Sequence, residues 1–397
     1  MTAALDDITV LDLSRVLAGP YATMLLGDLG ARVVKVEQPG RGDDTRHWGP
    51  PFTASGESAY FLCANRNKES VTLNLKSAEG RAVLRDMVRR ADVLVENFKV
   101  GSMAALGLDY AALRPENPGL IYCSITGYGQ TGPYAERPGY DVVIEAQGGL
   151  MSITGPAGGE PYKVGVAVVD ITAGMQAVMA ILAALHHRDR TGAGQAIDIA
   201  LFDTQLGWLA NVASAYLVSG QTPQRYGNAH PSIVPYQTVP TAGGLLMLAV
   251  GNDDQFARLC ALLGHPGWAA DPRFATNRAR VSHRAVLLPL LEAEFRRRSA
   301  AAWTETLLAA GIPCGPVNDV ATALSDPQAE ARAMVQTVLH PVTGSVPQVG
   351  PVPKLGETPA RIHLPPPLLG EHTEAVLAEW LGYSDEQIAG LRAAGAI

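Results

Sequence analysis

Asp170 lies between two apolar stretches of this 397-residue chain, VGVAVV (164–169) and ITAGMQAVMAILAAL, which has the composition of a long buried helix. The first stretch predicts a buried strand, and catalytic side chains of open α/β sheets lie at the carboxyl ends of such strands. The same carboxylate could instead cap the helix by accepting a hydrogen bond from a free backbone N–H group. Gly174, one turn further on, would let a ligand or a second backbone approach closely. The local pattern leaves both roles of Asp170 open.

Motifs for other classes of chemistry are missing. The sequence has no GxSxG serine elbow, no HExxH zinc motif and no P-loop, and its first strand–loop–helix unit (11–20) lacks GxGxxG, so no nicotinamide or flavin is expected. His186 and His187 lie beside Arg188 at a helix end, which is typical of a solvated basic terminus and not of metal ligands. The cysteines never form a CxxC pair, so we expect reduced core thiols without a metal site or disulfides: Cys63, Cys123, Cys260 and Cys314.

Strand and helix patterns alternate in the first part of the chain. Apolar runs such as ITVLDL, ARVVKV and DVLVENF alternate with helical patterns such as YATMLLGDLG and SAEGRAVLRDMVRRA. This order predicts an α/β fold with a Rossmann-like parallel sheet covered by helices on both faces. The loops SRVLAGP, ENFKVGS and TGYGQTGPYAERPGY follow strands and are expected at the functional edge of the sheet.

Composition shifts divide the chain into four parts. Residues 1–200 form the first part of a large domain, and residues 201–226 form a linker helix and a loop rich in Pro and Gly. Residues 227–325 form a smaller α/β domain. Residues 326–397 are too short for a domain and are expected to return to the large domain and complete it.

Charge and hydropathy exclude several partners. The net charge is −7 and no basic stripe exists, which argues against a nucleic-acid partner. The N-terminus lacks the pattern of a signal peptide, and the apolar run MQAVMAILAAL is too short to cross a bilayer. We therefore expect a soluble, cytoplasmic protein without a membrane partner.

A set of motifs resembles the family III CoA-transferases, which include formyl-CoA transferase, carnitine CoA-transferase and the α-methylacyl-CoA racemases. The motifs occur in order from Leu5 to the final helix: LDLSRVLAGPYATMLLGDLGARVVKVEQPGRGDDTR, NRNKESVTLNL, DVLVENFKVGSMAALGL, SITGYGQTGPYAERPGYD, VGVAVVDITAG and LLGEHT. Each motif is loose, but the ordered set is specific. RVLAGPYATM, CSITGYGQTGP and AHPSIVPYQ look most similar to the subgroup that transfers CoA from succinyl-CoA to glutarate-like dicarboxylates.

The resemblance implies a fold and a reaction. The expected assembly is a homodimer of two interlocked rings, and the expected substrates are an acyl-CoA and a small carboxylic acid. Coenzyme A enters as part of the substrate, and no metal is implied. Asp170 would be the nucleophile, forming first a mixed anhydride with the acyl group and then an aspartyl-CoA thioester.

The resemblance also assigns two groups of binding residues. Arg15 and Gln38 stand where formyl-CoA transferase has histidine and arginine, which implies that phosphate contacts are redistributed; Leu17 replaces a glutamine, which argues against oxalate. Plain core packing is the alternative for Leu73 and Phe98, and a solvated surface position for Lys76. The implied CoA site consists of Arg15, Val16, Gln38, Leu73, Lys76, Asn97, Phe98 and Ser102.

Candidates for the acceptor and oxyanion site are less sharply defined. A second acceptor carboxylate would need a cation such as Arg46 or His230, although Arg46 could instead bond the adjacent Asp43–Asp44 pair. The family's glycine loop matches VGNDDQF with only Gly251 retained, because Asn252 and Asp253 replace glycines. The candidate set comprises Arg46, Trp48, Tyr60, Tyr140, His230, Gly251 and Asn252.

Two rival functions predict different residues. An α-methylacyl-CoA racemase needs a histidine and a carboxylate as acid–base pair, but Tyr140 occupies the histidine position in RPGYD and is a poor base. A non-catalytic acyl-CoA binder would have lost the nucleophile, whereas Asp170 is present. The sequence favours the transferase without identifying the acceptor, because a pocket discriminates one methylene by only about 1–3 kcal/mol.

Overall fold

Six parallel strands form the central sheet of the molecule. The computed structural model describes residues 3–397, and the sheet has the order β3-β2-β1-β4-β5-β6. The strands follow the predicted apolar runs: β1 (Thr9–Asp12), β2 (Arg32–Glu37), β3 (Lys68–Thr72), β4 (Val93–Glu96), β5 (Ile121–Thr126) and β6 (Ala196–Ala200). The predicted α/β fold with a Rossmann-like parallel sheet is confirmed.

Strand β1 lies at the point where the chain reverses its direction of winding. Leu11 of β1 pairs with Val34 of β2 on one side and with Leu94 of β4 on the other. The loops after β1 and β4 therefore leave in opposite directions and open a crevice at the carboxyl edge. Ligands of doubly wound sheets bind in such a crevice.

Helices cover both faces of this sheet. The helices of the chain are α1 (Ala18–Asp28), α2 (Ala59–Leu62), α3 (Ala78–Val88), α4 (Ser102–Ala105), α5 (Tyr110–Leu113), α6 (Asp141–Gln147), α7 (Leu150–Ile153), α8 (Val168–Thr191), α9 (Leu201–Trp208), α10 (Ala210–Ser219), α11 (Asp253–Leu262), α12 (Asn277–Ser282), α13 (Arg284–Phe295), α14 (Ala300–Ala309), α15 (Val320–Leu324), α16 (Pro327–Ala331), α17 (Thr373–Ala375) and α18 (Asp385–Ala393). Two 3₁₀ segments, Asp44–His47 and Pro266–Ala270, and a π turn, Val376–Trp380, complete the set within residues 3–397.

Two apolar clusters hold the helices to the sheet. Val10, Val33 and Val93 face the cluster that includes Ala22 of α1 and Ala173 of α8. The neighbouring residues Leu11, Val34 and Leu94 face the opposite cluster, because successive side chains of a strand point to opposite faces. That second cluster is completed by α3 and by residues of the C-terminal segment, including Leu377 and Ile388.

The chain divides into two compact units. Unit 1 comprises the chain up to Gly149, together with Val164–Ala213 and Pro327–Ile397; unit 2 comprises Leu150–Lys163 and Ser214–Asp326. The division differs from the sequence-based domains in two ways. Unit 2 includes the additional segment Leu150–Lys163, which precedes α8. Its main part begins at Ser214, inside α10, and not at residue 227.

Unit 2 is built on a small antiparallel sheet. The strands are β7 (Tyr236–Thr241), β8 (Gly244–Ala249) and β9 (Cys314–Pro316), in that order. Its core includes Val239, Leu246, Phe256 and Phe295. A separate hairpin in unit 1 consists of β10 (Val335–His340) and β11 (Gly344–Val349).

Helix α8 extends well beyond the apolar run MQAVMAILAAL, which was too short to cross a bilayer. It has 24 residues, of which an 18-residue stretch has a mean hydropathy of 1.9, so by length and composition alone it could cross a membrane. Eight of its residues are buried within the protein, where they pack against α1 and the sheet. We therefore regard α8 as a core helix of unit 1.

Candidate active site

The segment before Asp170 is not a strand. Residues 164–167 form no strand, and α8 begins at Val168, so Asp170 is the third residue of the helix. The predicted strand VGVAVV is therefore wrong, and so is the alternative that Asp170 is the N-cap, because Ala167 holds that position. Short apolar runs do not distinguish strands from helix starts by periodicity.

Asp141, the first residue of α6, replaces the missing cap of α8. Its Oδ1 accepts hydrogen bonds from the backbone N–H groups of Val169, at 2.7 Å, and Asp170, at 3.1 Å. The Asp170 carboxylate itself makes no hydrogen bond within residues 3–397, so both of its oxygens are available to a ligand. Sequence analysis missed Asp141, although it follows Tyr140 in the conspicuous RPGYD segment, because only the fold brings it to α8.

The surroundings of Asp170 disfavour its charged form. Burial, and then the negative charge of Asp141, raises the pKa of Asp170 to about 7. The charge of Asp170 also affects Tyr60. Burial and this charge raise the pKa of Tyr60 to about 12, so its hydroxyl stays protonated. The Tyr60 ring packs edge-on against Trp48 with centroids 5.2 Å apart, which brings together two residues of the predicted acceptor site.

A cleft of about 280 Å³ contains Asp170 and lies at the crevice between β1 and β4. Five other predicted residues line it: Arg15, Val16, Asn97, Phe98 and Tyr140. Arg137, an exposed cation that sequence analysis did not single out, also lines this cleft.

A second cleft, of about 190 Å³, shares Arg15 and Phe98 with the first. It is lined by Gln38, Leu73 and Lys76, and Lys76 is exposed. The combination of apolar side chains with cations suits a nucleotide-like ligand that carries phosphates, as coenzyme A does. Ser102 lines neither cleft; it begins α4, and its N–H donates to the carbonyl of Lys99.

The loop after β1 is fixed from two sides. The side-chain amide of Asn97 accepts from the Arg15 N–H at 2.8 Å and donates to the Arg15 carbonyl at 2.7 Å. On the other side, the Asp43 carboxylate accepts from the Val16 N–H at 3.3 Å. These contacts hold Val16 at a φ of 72°, which a β-branched residue adopts only under constraint.

A buried lysine, Lys35, binds Asp43, which holds the loop after β1, and Ser14 of that loop. Lys35 is completely buried in β2, where its ammonium lies 3.0 Å from Asp43 and donates to the Ser14 carbonyl at 2.9 Å. Burial opposes its charge, but the carboxylates of Asp12 and Asp43 outweigh burial and raise the pKa of Lys35. The lysine inside the apolar strand RVVKVE was the sequence signal for this network.

Arg46 has structural partners. Its guanidinium donates twice to Glu37, at 2.9 and 2.7 Å, and once to the Pro367 carbonyl. It lies 3.7 Å over the Phe61 ring, and its side chain is only 7% exposed. These partners also differ from the Asp43–Asp44 pair considered above. The substrate role of Arg46 stays a prediction that its geometry does not favour.

The remaining candidates belong to unit 2. The His230 ring accepts from the Ser232 N–H at 3.0 Å. Asn252 caps α11 by accepting from the Gln255 N–H, and the Gly251 N–H donates to the Gln255 side chain at 2.7 Å. Local hydrogen bonds therefore fix the turn at Gly251 and Asn252, where the resemblance implied a glycine loop.

The sequence is similar to those of known CoA-transferases. It matches CoA-transferase family III over residues 5–373. A succinate–glutarate CoA-transferase from Agrobacterium fabrum is 50% identical over 384 residues, covering 94% of this chain and 95% of that protein. Human succinyl-CoA:glutarate CoA-transferase is 42% identical, covering 99% of this chain and 90% of the human protein. The crystal structure of a CAIB/BAIF family protein from Brucella suis matches with a TM-score of 0.86 at 48% identity, covering 96% of this chain and all of that one.

Proposed function

The chain belongs to CoA-transferase family III, as its motifs predicted, and from this we propose that it transfers coenzyme A from succinyl-CoA to a dicarboxylate such as glutarate. The proposed donor and acceptor come from the relatives in Agrobacterium fabrum and human, whose names specify succinate or succinyl-CoA together with glutarate.

One observation carries the proposed mechanism. The Asp170 carboxylate, which makes no hydrogen bond among residues 3–397, lies in a cleft that shares Arg15 and Phe98 with the neighbouring cleft. A CoA chain bound through the second cleft can pass Arg15 and Phe98 and bring its thioester toward Asp170. The placement at the β1–β4 crevice is the expected one for a ligand of this sheet topology.

A carboxylate nucleophile preserves the activation of the thioester. An Asp170 oxygen attacks the succinyl carbonyl, the C–S bond breaks, and CoA leaves as a thiolate from a succinyl–aspartyl anhydride. The thiolate attacks the aspartyl carbonyl, which releases succinate and forms an aspartyl-CoA thioester. The acceptor carboxylate displaces CoA from this thioester, and the thiolate then attacks the acceptor carbonyl and frees Asp170. Each anhydride is at least as activated as the thioester, so little driving force is lost.

We also propose that the protein functions as a homodimer. The outer surfaces of α8 and α9 expose a group of large apolar side chains, each about half exposed: Met175, Met179, Leu206 and Trp208. Apolar groups of this kind mark protein interfaces. We propose that they lie in the interlocked homodimer that the resemblance implies. The cytoplasm stays the predicted location, and cell fractionation would test it.

The nucleophile is tested by replacing Asp170. We expect the wild-type protein to form a new CoA ester when mixed with succinyl-CoA and one of glutarate, 3-hydroxy-3-methylglutarate, itaconate or mesaconate. Asp170→Ala and Asp170→Asn should lower the transfer rate by at least about 10³-fold, because no other group forms the anhydride. Chromatography of the CoA esters measures both results.

The control is a carboxylate on the same helix. Asp189 is 69% exposed near the far end of α8, so Asp189→Asn should keep the wild-type rate. Hydroxylamine added during turnover should leave its label on Asp170. Full activity of Asp170→Ala, or a label on another residue, would remove the basis of the mechanism.

A further inference from the structure

Two carboxylates of α6 hold the segment that carries Asp170. Asp141 accepts from the N–H groups of Val169 and Asp170, and Glu145, one turn later on α6, accepts from the Val164 N–H at 2.8 Å. Residues four apart lie on the same face of a helix. One face of α6 thus fixes the chain from residue 164 to the first turn of α8.

Asp141 has a second effect at this position, which is electrostatic. The free N–H groups of a helix N-terminus carry partial positive charge and stabilise a nearby carboxylate anion, which makes that anion less nucleophilic. A carboxylate at the third helical position can also bond back to the N-terminal N–H groups and so act as a cap. Asp141 occupies two of the free donors, the N–H groups of Val169 and Asp170, and the Asp170 carboxylate makes no hydrogen bond to the helix N-terminus among the described residues.

We propose that Asp141 is a positioning residue that keeps Asp170 available for attack, by capping α8 in its place and by offsetting the positive field of the helix N-terminus. The inference rests on the proposed function, because it assigns Asp170 the role of nucleophile. Asp141 itself takes no part in bond making or breaking.

The pH dependence of the reaction depends on every charged group around Asp170. The charge of Asp141 of α6 raises the pKa of Asp170, and the charge of Asp170 in turn raises the pKa of Tyr60 of α2. The same cleft is also lined by the titratable or charged side chains of Arg15, Asp44, Lys99, Arg137 and Tyr140. Of these groups, Asp141 is the one that raises the pKa of Asp170 through its charge.

Two substitutions separate the two roles of Asp141. Asp141→Asn keeps an oxygen acceptor for the N–H groups but removes the charge. We expect the acidic midpoint of the kcat/KM profile to move down by about half a pH unit to one unit, with kcat at high pH within about threefold of wild type. Asp141→Ala removes the acceptor as well, and we expect kcat to fall about 10- to 100-fold while KM for succinyl-CoA changes less than about threefold.

A nearby acidic residue provides the matched control. Glu136 is exposed and lies five residues before Asp141, in the loop that precedes α6, so Glu136→Gln removes an equal charge without touching α8. Its pH profile should match that of wild type.

If wild type transfers CoA but Asp141→Asn shows no shift of the midpoint, or Asp141→Ala keeps the wild-type kcat, the role of Asp141 is refuted. If wild type fails to transfer CoA at all, the proposed function fails first. Asp141→Asn nearly preserves the side-chain shape, so the pH test remains available even if Asp141→Ala does not fold.

Discussion

Asp170 is placed at a cost to the folded state. Its ordinary pKa of 3.8 rises to about 7, because the fold buries the carboxylate and places Asp141 beside it. An acid with a higher pKa in the folded than in the unfolded chain binds its proton more tightly when folded. The protein therefore loses stability as pH rises from about 4 to about 7, and above pH 7 that loss is complete.

Asp170→Asn should consequently stabilise the protein while it abolishes transfer. At pH 8 we expect the free energy of unfolding to increase by about 1–2 kcal/mol, less than the full pKa difference implies because the side chain is partly solvated. The gain should shrink toward pH 5, where the wild-type carboxyl is protonated in the folded chain. Urea titrations at the two pH values measure it, with Asp189→Asn as the control; equal gains at both pH values would contradict the account.

At the scale of elements, the contact between α1 and α8 joins the two halves of the site. Helix α1 begins at Ala18, directly after the Arg15–Val16 loop, and α8 carries Asp170 in its first turn. The helices approach so closely at Gly174 that an added Cβ would lie 2.7 Å from the Ala18 carbonyl oxygen. This glycine serves backbone packing, one of the two roles that the sequence suggested.

Gly174→Ala should therefore separate the two helices. We expect it to destabilise the protein by about 1–3 kcal/mol and to raise KM for succinyl-CoA, since α1 would shift together with the loop that precedes it. Gly390 lies in α18 with open space around it, so Gly390→Ala should be neutral or slightly stabilising by helix propensity. Thermal unfolding and steady-state kinetics measure both effects. A Gly174→Ala enzyme with unchanged Tm and KM would show that the contact is dispensable.

The elements differ in how far the sequence predicted them. Strands β1, β2 and β4 were predictable because long apolar runs between turn signals leave little ambiguity. The start of α8 was not, because VGVAVV fits a strand as well as a loop that enters a helix. Asp141 and Asp43 could not be assigned, since their partners Asp170 and Val16 lie 29 and 27 residues away in sequence and only the fold joins them.

At the scale of the whole molecule, the proposed interlocked dimer makes a kinetic prediction. Two threaded rings cannot part without unfolding, so tagged and untagged dimers mixed under native conditions should form no mixed dimer over days. Unfolding the mixture in denaturant and refolding it should produce about half mixed dimers, as random pairing requires. Affinity capture followed by mass spectrometry measures the fraction. Rapid exchange under native conditions would mean that the two copies associate only side by side.

The three-part construction of unit 1 constrains how the protein can be made. Leu377 and Ile388 cover the sheet face formed by Leu11, Val34 and Leu94, yet they follow unit 2 in the sequence and so leave the ribosome after it. While unit 2 is being translated, the apolar face of the sheet that the C-terminal segment will cover is still exposed to solvent. Chaperone protection should therefore matter most in this interval, which ends when the segment Pro327–Ile397 has emerged.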